Sequence, residues 1–186
     1  MSTARAIRRS ATLLLAALAA LLLLYTGASA ARTKPIRTPP GWPQVVVVPR
    51  LSVLAKIEPV TMMHPADTEA PHRMNDVAWY SRGHRPGDRG RAEIFGHLDS
   101  TCCPAIFYHL RDMKPGDLVQ VRYKTGKPLT FRVRWQATYP RTHMPLSFMY
   151  GPTTDHGLML VTCAGLFHRD GTGYDYRLIV YATLVP

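Results

Sequence analysis

The sequence predicts an all-β domain, a closed sheet or sandwich of short strands, preceded by an apolar amino-terminal segment. Three observations lead to this expectation. The 186 residues include 16 Pro and 13 Gly, which favours many short elements over long helices. Seven β-branched or apolar runs follow one another after residue 44, separated by turn sequences such as Arg85-Pro-Gly-Asp88, Lys114-Pro-Gly-Asp117, Thr125-Gly-Lys-Pro128 and Asp170-Gly-Thr-Gly173. In one run Phe131, Val133 and Trp135 alternate with Arg132, Arg134 and Gln136, the two-residue period of a strand with one wet face.

Taken in chain order, the first element is residues 1–31. No charge occurs in the 22 residues from Ser10 to Ala31, which follow the basic cluster Arg5, Arg8 and Arg9. As a helix they would extend about 33 Å, enough to cross a hydrocarbon core of about 30 Å. Ala28-Ser29-Ala30 has the small-x-small form of a signal-peptidase site, so the segment is either a single-pass membrane anchor or a cleaved secretory signal. Either way the rest of the chain is expected outside the membrane. Residues 32–44, with Pro35, Pro39, Pro40, Gly41 and Pro43, read as an extended stalk that cannot continue a helix. Residues 45–186 then form one domain of ordinary size. Its expected strands are 45–48, 51–57, 92–95, 118–123, 129–139, 158–162 and 176–184, with short helical or 3₁₀ turns at 103–110 and 141–150.

The formal charge of +11 suggests nucleic acid until it is located. Six of the 23 Lys and Arg lie in residues 1–40 with no acid, leaving 17 bases against 12 acids and a net +5 for the remainder. The remaining charges fall singly and in both signs, without the clustered bases and interleaved aromatics of a nucleic-acid groove. No nucleic-acid partner is expected. Export makes the three cysteines notable, since an oxidising compartment favours disulfides and an odd number leaves one thiol over. Cys102 and Cys103 are adjacent loop residues, so Cys163 is the thiol to explain.

Three segments carry the candidate chemistry. Glu93-Ile-Phe-Gly-His97-Leu-Asp-Ser100 ends a strand at a histidine, and Leu158-Met-Leu-Val-Thr-Cys163-Ala-Gly165 ends an apolar strand at a cysteine. Tyr174-Asp-Tyr-Arg177-Leu-Ile-Val-Tyr-Ala182 opens an apolar strand with an arginine. Singly, each residue has a plain structural explanation: a surface histidine, a small buried hydrophobe, a solvated charge. Together they supply a nucleophilic thiolate, a proton donor for a leaving amine and a cation for the oxyanion of a tetrahedral intermediate. Ala164 and Gly165 would let a substrate backbone approach the cysteine. A metal site of His97, Asp99, Cys102, Cys103 and His109 lacks the usual ligand spacing, so no metal and no cofactor is expected.

Gly-His-x-Asp-Ser, then Leu-Val-Thr-Cys-x-Gly, then Arg-Leu-Ile-Val-Tyr-Ala resembles a sortase, closest to the class E/F sortases of bacterial cell surfaces. The likeness runs from about Val45 to Val185 and includes Val48-Pro-Arg-Leu-Ser-Val53, Asp76-Val-Ala-Trp-Tyr80 and residues 107–117. This resemblance implies a closed eight-stranded β-barrel with one or two short helices. It also implies a cysteine transpeptidase that cuts a Leu-Pro-x-Thr-Gly-like sorting signal. Cys163 would form the thioacyl intermediate, His97 would serve the leaving and incoming amines, and Arg177 would stabilise the oxyanion. The partners implied are surface proteins bearing sorting signals and, as acceptor, a peptidoglycan precursor or a pilin amine. Two alternatives stay open: a thiol peptidase that lets water finish the reaction, and a surface barrel without catalysis. Ala164 departs from the Gly of many relatives, and Asp99 either orients His97 or simply caps its loop.

Overall fold

The computed structural model describes residues 39, 41–61 and 70–186. The expected anchor or signal at 1–31 and residues 32–38 and 40 of the expected stalk lie outside them. Among the described residues no helix is long and apolar enough to cross a membrane.

Eight strands close into a barrel: β1 (Pro43–Val48), β2 (Val53–Val60), β3 (Val77–Tyr80), β4 (Gly90–Gly96), β5 (Leu118–Tyr123), β6 (Leu129–Pro140), β7 (His156–His168) and β8 (Gly173–Leu184). Around the barrel the order is β1-β2-β3-β4-β7-β8-β6-β5. Most neighbours are antiparallel, but β2 with β3 and β4 with β7 run parallel. Closure leaves no unpaired sheet edge within the barrel. The strand expected to begin at residue 45 begins at Pro43, so the stalk boundary at 44 falls inside β1. Proline is tolerated there because a strand's first residue need not donate to the ladder.

Seven of the eight strands coincide with runs identified in the sequence; β3 was not among them. Its four residues Val-Ala-Trp-Tyr are nearly all buried, so no alternation distinguishes them, as is usual for a strand covered on both faces. The expected turn at 103–110 is instead a 3₁₀ turn at Leu110–Asp112. The one expected at 141–150 divides into a 3₁₀ turn at Arg141–His143 and the short helix α1 at Leu146–Tyr150. Pro145, which cannot donate a helical hydrogen bond, separates the two.

Alternation sorts the strand side chains into two apolar groups. Ala92, Ile94, Leu158, Leu160, Leu178, Val180 and Ala182 point into the barrel with Trp79, Phe107 and Phe131. Phe95, Met159, Val161, Ile179 and Tyr181 point outward, where Met149 and Phe148 of α1 and Trp135 cover them. Trp79, Phe107 and Phe131 are at most 1% exposed. Burying side chains of this size contributes about 1.5–3 kcal/mol each.

The outward group also covers a carboxyl. Glu93 is 3% exposed, and the Tyr150 hydroxyl donates to it at 3.4 Å. Burial pushes its pKa up to about 8, and the Tyr150 hydrogen bond offsets only part of this. An unfolded glutamate loses its proton from about pH 4.5 upward, whereas the folded one keeps it until about pH 8. Stability therefore falls as pH rises between these values and levels off above them. Glu93→Gln should remove this loss, raising stability at pH 8 by roughly 2–4 kcal/mol with the gain vanishing near pH 4, as read by urea unfolding at the two pH values.

Candidate active site

The strand register brings the three candidate residues together. In the parallel pair β4–β7 the last register match is Phe95 with Val161, and His97 and Cys163 each follow two residues later. In the antiparallel pair β7–β8, Cys163 is matched directly with Arg177. Each residue lies an even number of positions from an outward-facing neighbour: His97 from Phe95, Cys163 from Val161, Arg177 from Ile179. With a side-chain period of two, all three share the outer face. A pocket of about 190 Å³ is lined by His97, Cys163 and Arg177 together with Pro71, Phe95 and Thr162.

Each side chain is held from behind. His97 Nε2 lies 2.9 Å from the Pro71 carbonyl, which can only accept, so Nε2 carries the hydrogen and Nδ1 is left to exchange a proton with a bound molecule. The His97 carbonyl accepts from Phe107 N–H at 3.0 Å. A side chain at Gly96 would strike the Phe107 ring at 2.5 Å, so glycine is required where β4 passes beneath it. Buried Thr162 donates its hydroxyl to the Gly96 carbonyl at 2.7 Å, fastening β7 to β4 one residue before the cysteine and the histidine. Arg177 donates through one terminal nitrogen to the Tyr174 and Tyr176 carbonyls at 3.2 and 3.0 Å.

Cys163 is partly buried, and desolvation raises its thiol pKa above the ordinary value. The charges of Arg177 and Arg141 pull it down, and Asp99 pushes it up. The fold therefore holds a mostly protonated thiol whose anion is supported by two guanidinium groups. Immediately beyond it the register shifts between Ala164 and Phe167. Gly165 has φ +83°, and a side chain there would collide with the Asp175 carboxylate, which accepts from Leu166 N–H at 2.8 Å. Gly165 is thus first a bulge residue. The bulge carries β7 and β8 beyond the ranges expected from sequence, into a projecting hairpin that pairs Phe167 with Tyr174 and His168 with Gly173.

That hairpin forms one wall of a larger cleft of about 1000 Å³, whose other wall is the loop from Leu98 to Thr101, with Cys163 and His97 at its base. Sequence reasoning did not give Tyr174 a role. Its hydroxyl donates to Asp99 Oδ2 at 2.6 Å, across 75 residues of chain. The only signal was its position in the Tyr174-Asp-Tyr-Arg177 segment. Asp99 is thus bonded to Tyr174, while His97 is oriented through Pro71. A third depression of about 630 Å³ reaches Cys163 from the barrel end past Gln136 and Leu178.

Cys102, Cys103 and Cys163 are all free thiols. Ser100 Oγ sits 3.5 Å from Cys102 Sγ and donates to the Cys103 carbonyl at 3.1 Å. His109 pairs instead with Asp112, at 3.1 Å. Among the described residues no three His, Cys, Asp or Glu side chains are gathered as metal ligands.

Comparison with known proteins bears on the family and the fold. A family model described as a sortase domain matches residues 46–185. Among solved structures, a sortase from Actinomyces oris is 19% identical with a TM-score of 0.61, over 83% of this chain and 87% of that one. Sortase A from Corynebacterium diphtheriae is 18% identical with a TM-score of 0.60, over 81% and 63%. Sortase C from Streptococcus pneumoniae, whose structure is described as bearing on catalysis and pilin substrate specificity, is 15% identical with a TM-score of 0.59, over 76% and 65%. The match thus spans less than two thirds of the last two chains. Among curated protein sequences no match is found.

Proposed function

Because the chain belongs to the sortase family of cysteine transpeptidases, we propose that it cleaves a Leu-Pro-x-Thr-Gly-like sorting signal and transfers the acyl part to an amine. The observation that carries this reading is the outward pocket that His97, Cys163 and Arg177 line together. Cys163 sulfur, as the thiolate, attacks the threonine carbonyl. Arg177, matched across the strands, lies beside the oxyanion that forms. His97 gives a proton to the departing amine through Nδ1, the C–N bond breaks, and a thioacyl enzyme remains. The incoming amine reverses these steps, giving a proton to His97 as the C–S bond breaks. A raised thiol pKa makes the thiolate–imidazolium pair a minority form, so the rate depends on both groups.

The finer assignment to class E/F rests on the order of the Gly-His-x-Asp-Ser, Leu-Val-Thr-Cys and Arg-Leu-Ile-Val-Tyr-Ala motifs. The partners proposed are surface proteins with sorting signals and, as acceptor, a peptidoglycan precursor or pilin amine. The proposed location is the bacterial cell membrane, single-pass with the catalytic domain outside, or secretion if Ala28-Ser29-Ala30 is cut.

The test is a fluorogenic Leu-Pro-x-Thr-Gly peptide assay with an added amine. Arg177→Ala should lower kcat/KM by about 10²–10³-fold, and Arg177→Lys should recover part of it, because removing a donor to an oxyanion costs rate on this scale. Undiminished turnover in Arg177→Ala would refute its assignment.

A further inference from the structure

The acyl half of the substrate and the acceptor amine cannot occupy the same space, and the structure offers two depressions that share Cys163 and His97. The small outward pocket also contains Arg177. The larger cleft, between the Leu98–Thr101 loop and the β7–β8 hairpin, does not. An amine acceptor must reach both the thioester carbon and His97, so this cleft meets its geometric requirement. Among the described residues that line it, Asp99 is the one acid, beside the bases His168 and Arg169; the Tyr174 hydroxyl holds it at 2.6 Å, and its charge is close enough to oppose ionisation of Cys163. The hydrogen bond engages Oδ2 and fixes the carboxylate's direction.

Building on the transpeptidase reading, we propose that this cleft is the acceptor site and that Asp99, positioned by Tyr174, binds the acceptor as a primary ammonium ion. A primary alkyl amine is cationic at neutral pH and must be concentrated before it can react. Asp99 attracts the ammonium to the mouth of the site, and one proton is released to solvent as the amine moves onto the thioester. The nitrogen lone pair then forms the new amide C–N bond and a second proton passes to His97. The C–S bond breaks, with its electron pair remaining on Cys163 sulfur. Asp99 here is a positioning residue. Primary alkyl ammonium acceptors should therefore be preferred over uncharged nucleophiles.

The experiment uses the full chain, a Leu-Pro-x-Thr-Gly peptide and two nucleophiles: triglycine, which carries an ammonium, and hydroxylamine, which is uncharged at pH 7. Transfer and hydrolysis products arise from one thioacyl enzyme, so their ratio does not depend on how fast that intermediate forms. Asp99→Asn should lower the transfer-to-hydrolysis ratio for triglycine about 5- to 20-fold, the scale of one charge-assisted hydrogen bond, with less than about 2-fold change for hydroxylamine. Tyr174→Phe should shift the triglycine ratio in the same direction by a smaller factor. An unchanged triglycine ratio in Asp99→Asn, or an equal fall for both nucleophiles, would overturn the proposal. No thioacyl enzyme in the unaltered chain would instead overturn the transpeptidase reading, and this inference with it.

Discussion

Cys163→Ala should abolish cleavage of a sorting-signal peptide, with a loss of at least about 10⁴-fold in kcat/KM, while the thermal unfolding profile stays close to that of the unaltered chain. The size follows from the role: without the sulfur no covalent intermediate forms, and His97 and Arg177 then have nothing to act on. Folding should tolerate the change because Cys163 is only partly buried and its register partner is a charged residue, not a core side chain. Cys102→Ala is the control. Its thiol is exposed, interacts with its neighbours Cys103 and Ser100, and lies outside the three depressions around Cys163, so activity should persist. Loss of activity in Cys102→Ala with activity retained in Cys163→Ala would reverse the assignment.

His97→Gln is expected to have the next largest effect, a fall of about 10²–10⁴-fold in kcat/KM, the usual contribution of a positioned acid–base group. It should also change the shape of the pH profile. In the unaltered chain the rate rises with pH as the Cys163 thiol, whose pKa burial has raised, begins to ionise. Because the reaction needs a thiolate and a protonated imidazole at once, the rate falls again at high pH, giving a bell. In His97→Gln the descending limb should disappear, leaving a low rate that climbs steadily through the range in which the thiol ionises. A purely structural histidine would lower the whole profile without changing its shape.

Much of this site is legible in the sequence because it is built at strand ends. His97 follows the glycine that ends β4, Cys163 belongs to an apolar run, and Arg177 opens another, so local pattern suffices to single them out. Their convergence is a different matter. It depends on β4 running parallel to β7, a pairing set by topology rather than by any local signal. The contact between Asp99 and Tyr174 is less legible still. It exists because a bulge at Gly165 extends the β7–β8 hairpin past the expected strand ends, bringing a tyrosine to a loop 75 residues earlier. Glu93 was visible only as part of the histidine segment. In an alternating strand a glutamate between Ala92 and Ile94 reads as solvent-facing, yet α1 and its flanking loop cover that face. The β3 strand escaped for a related reason, since four residues buried on both faces show no period.

The central claim is that Cys163 carries the acyl group, and mass spectrometry of the intact protein tests it most directly. After brief incubation with a Leu-Pro-x-Thr-Gly peptide and no added amine, the chain should gain the mass of the peptide up to and including threonine. Proteolytic mapping should locate that mass on the peptide containing Cys163, and an added amine should discharge it with formation of the transfer product. An adduct on Cys102 or Cys103, or cleavage of the peptide that continues in Cys163→Ala, would contradict the account.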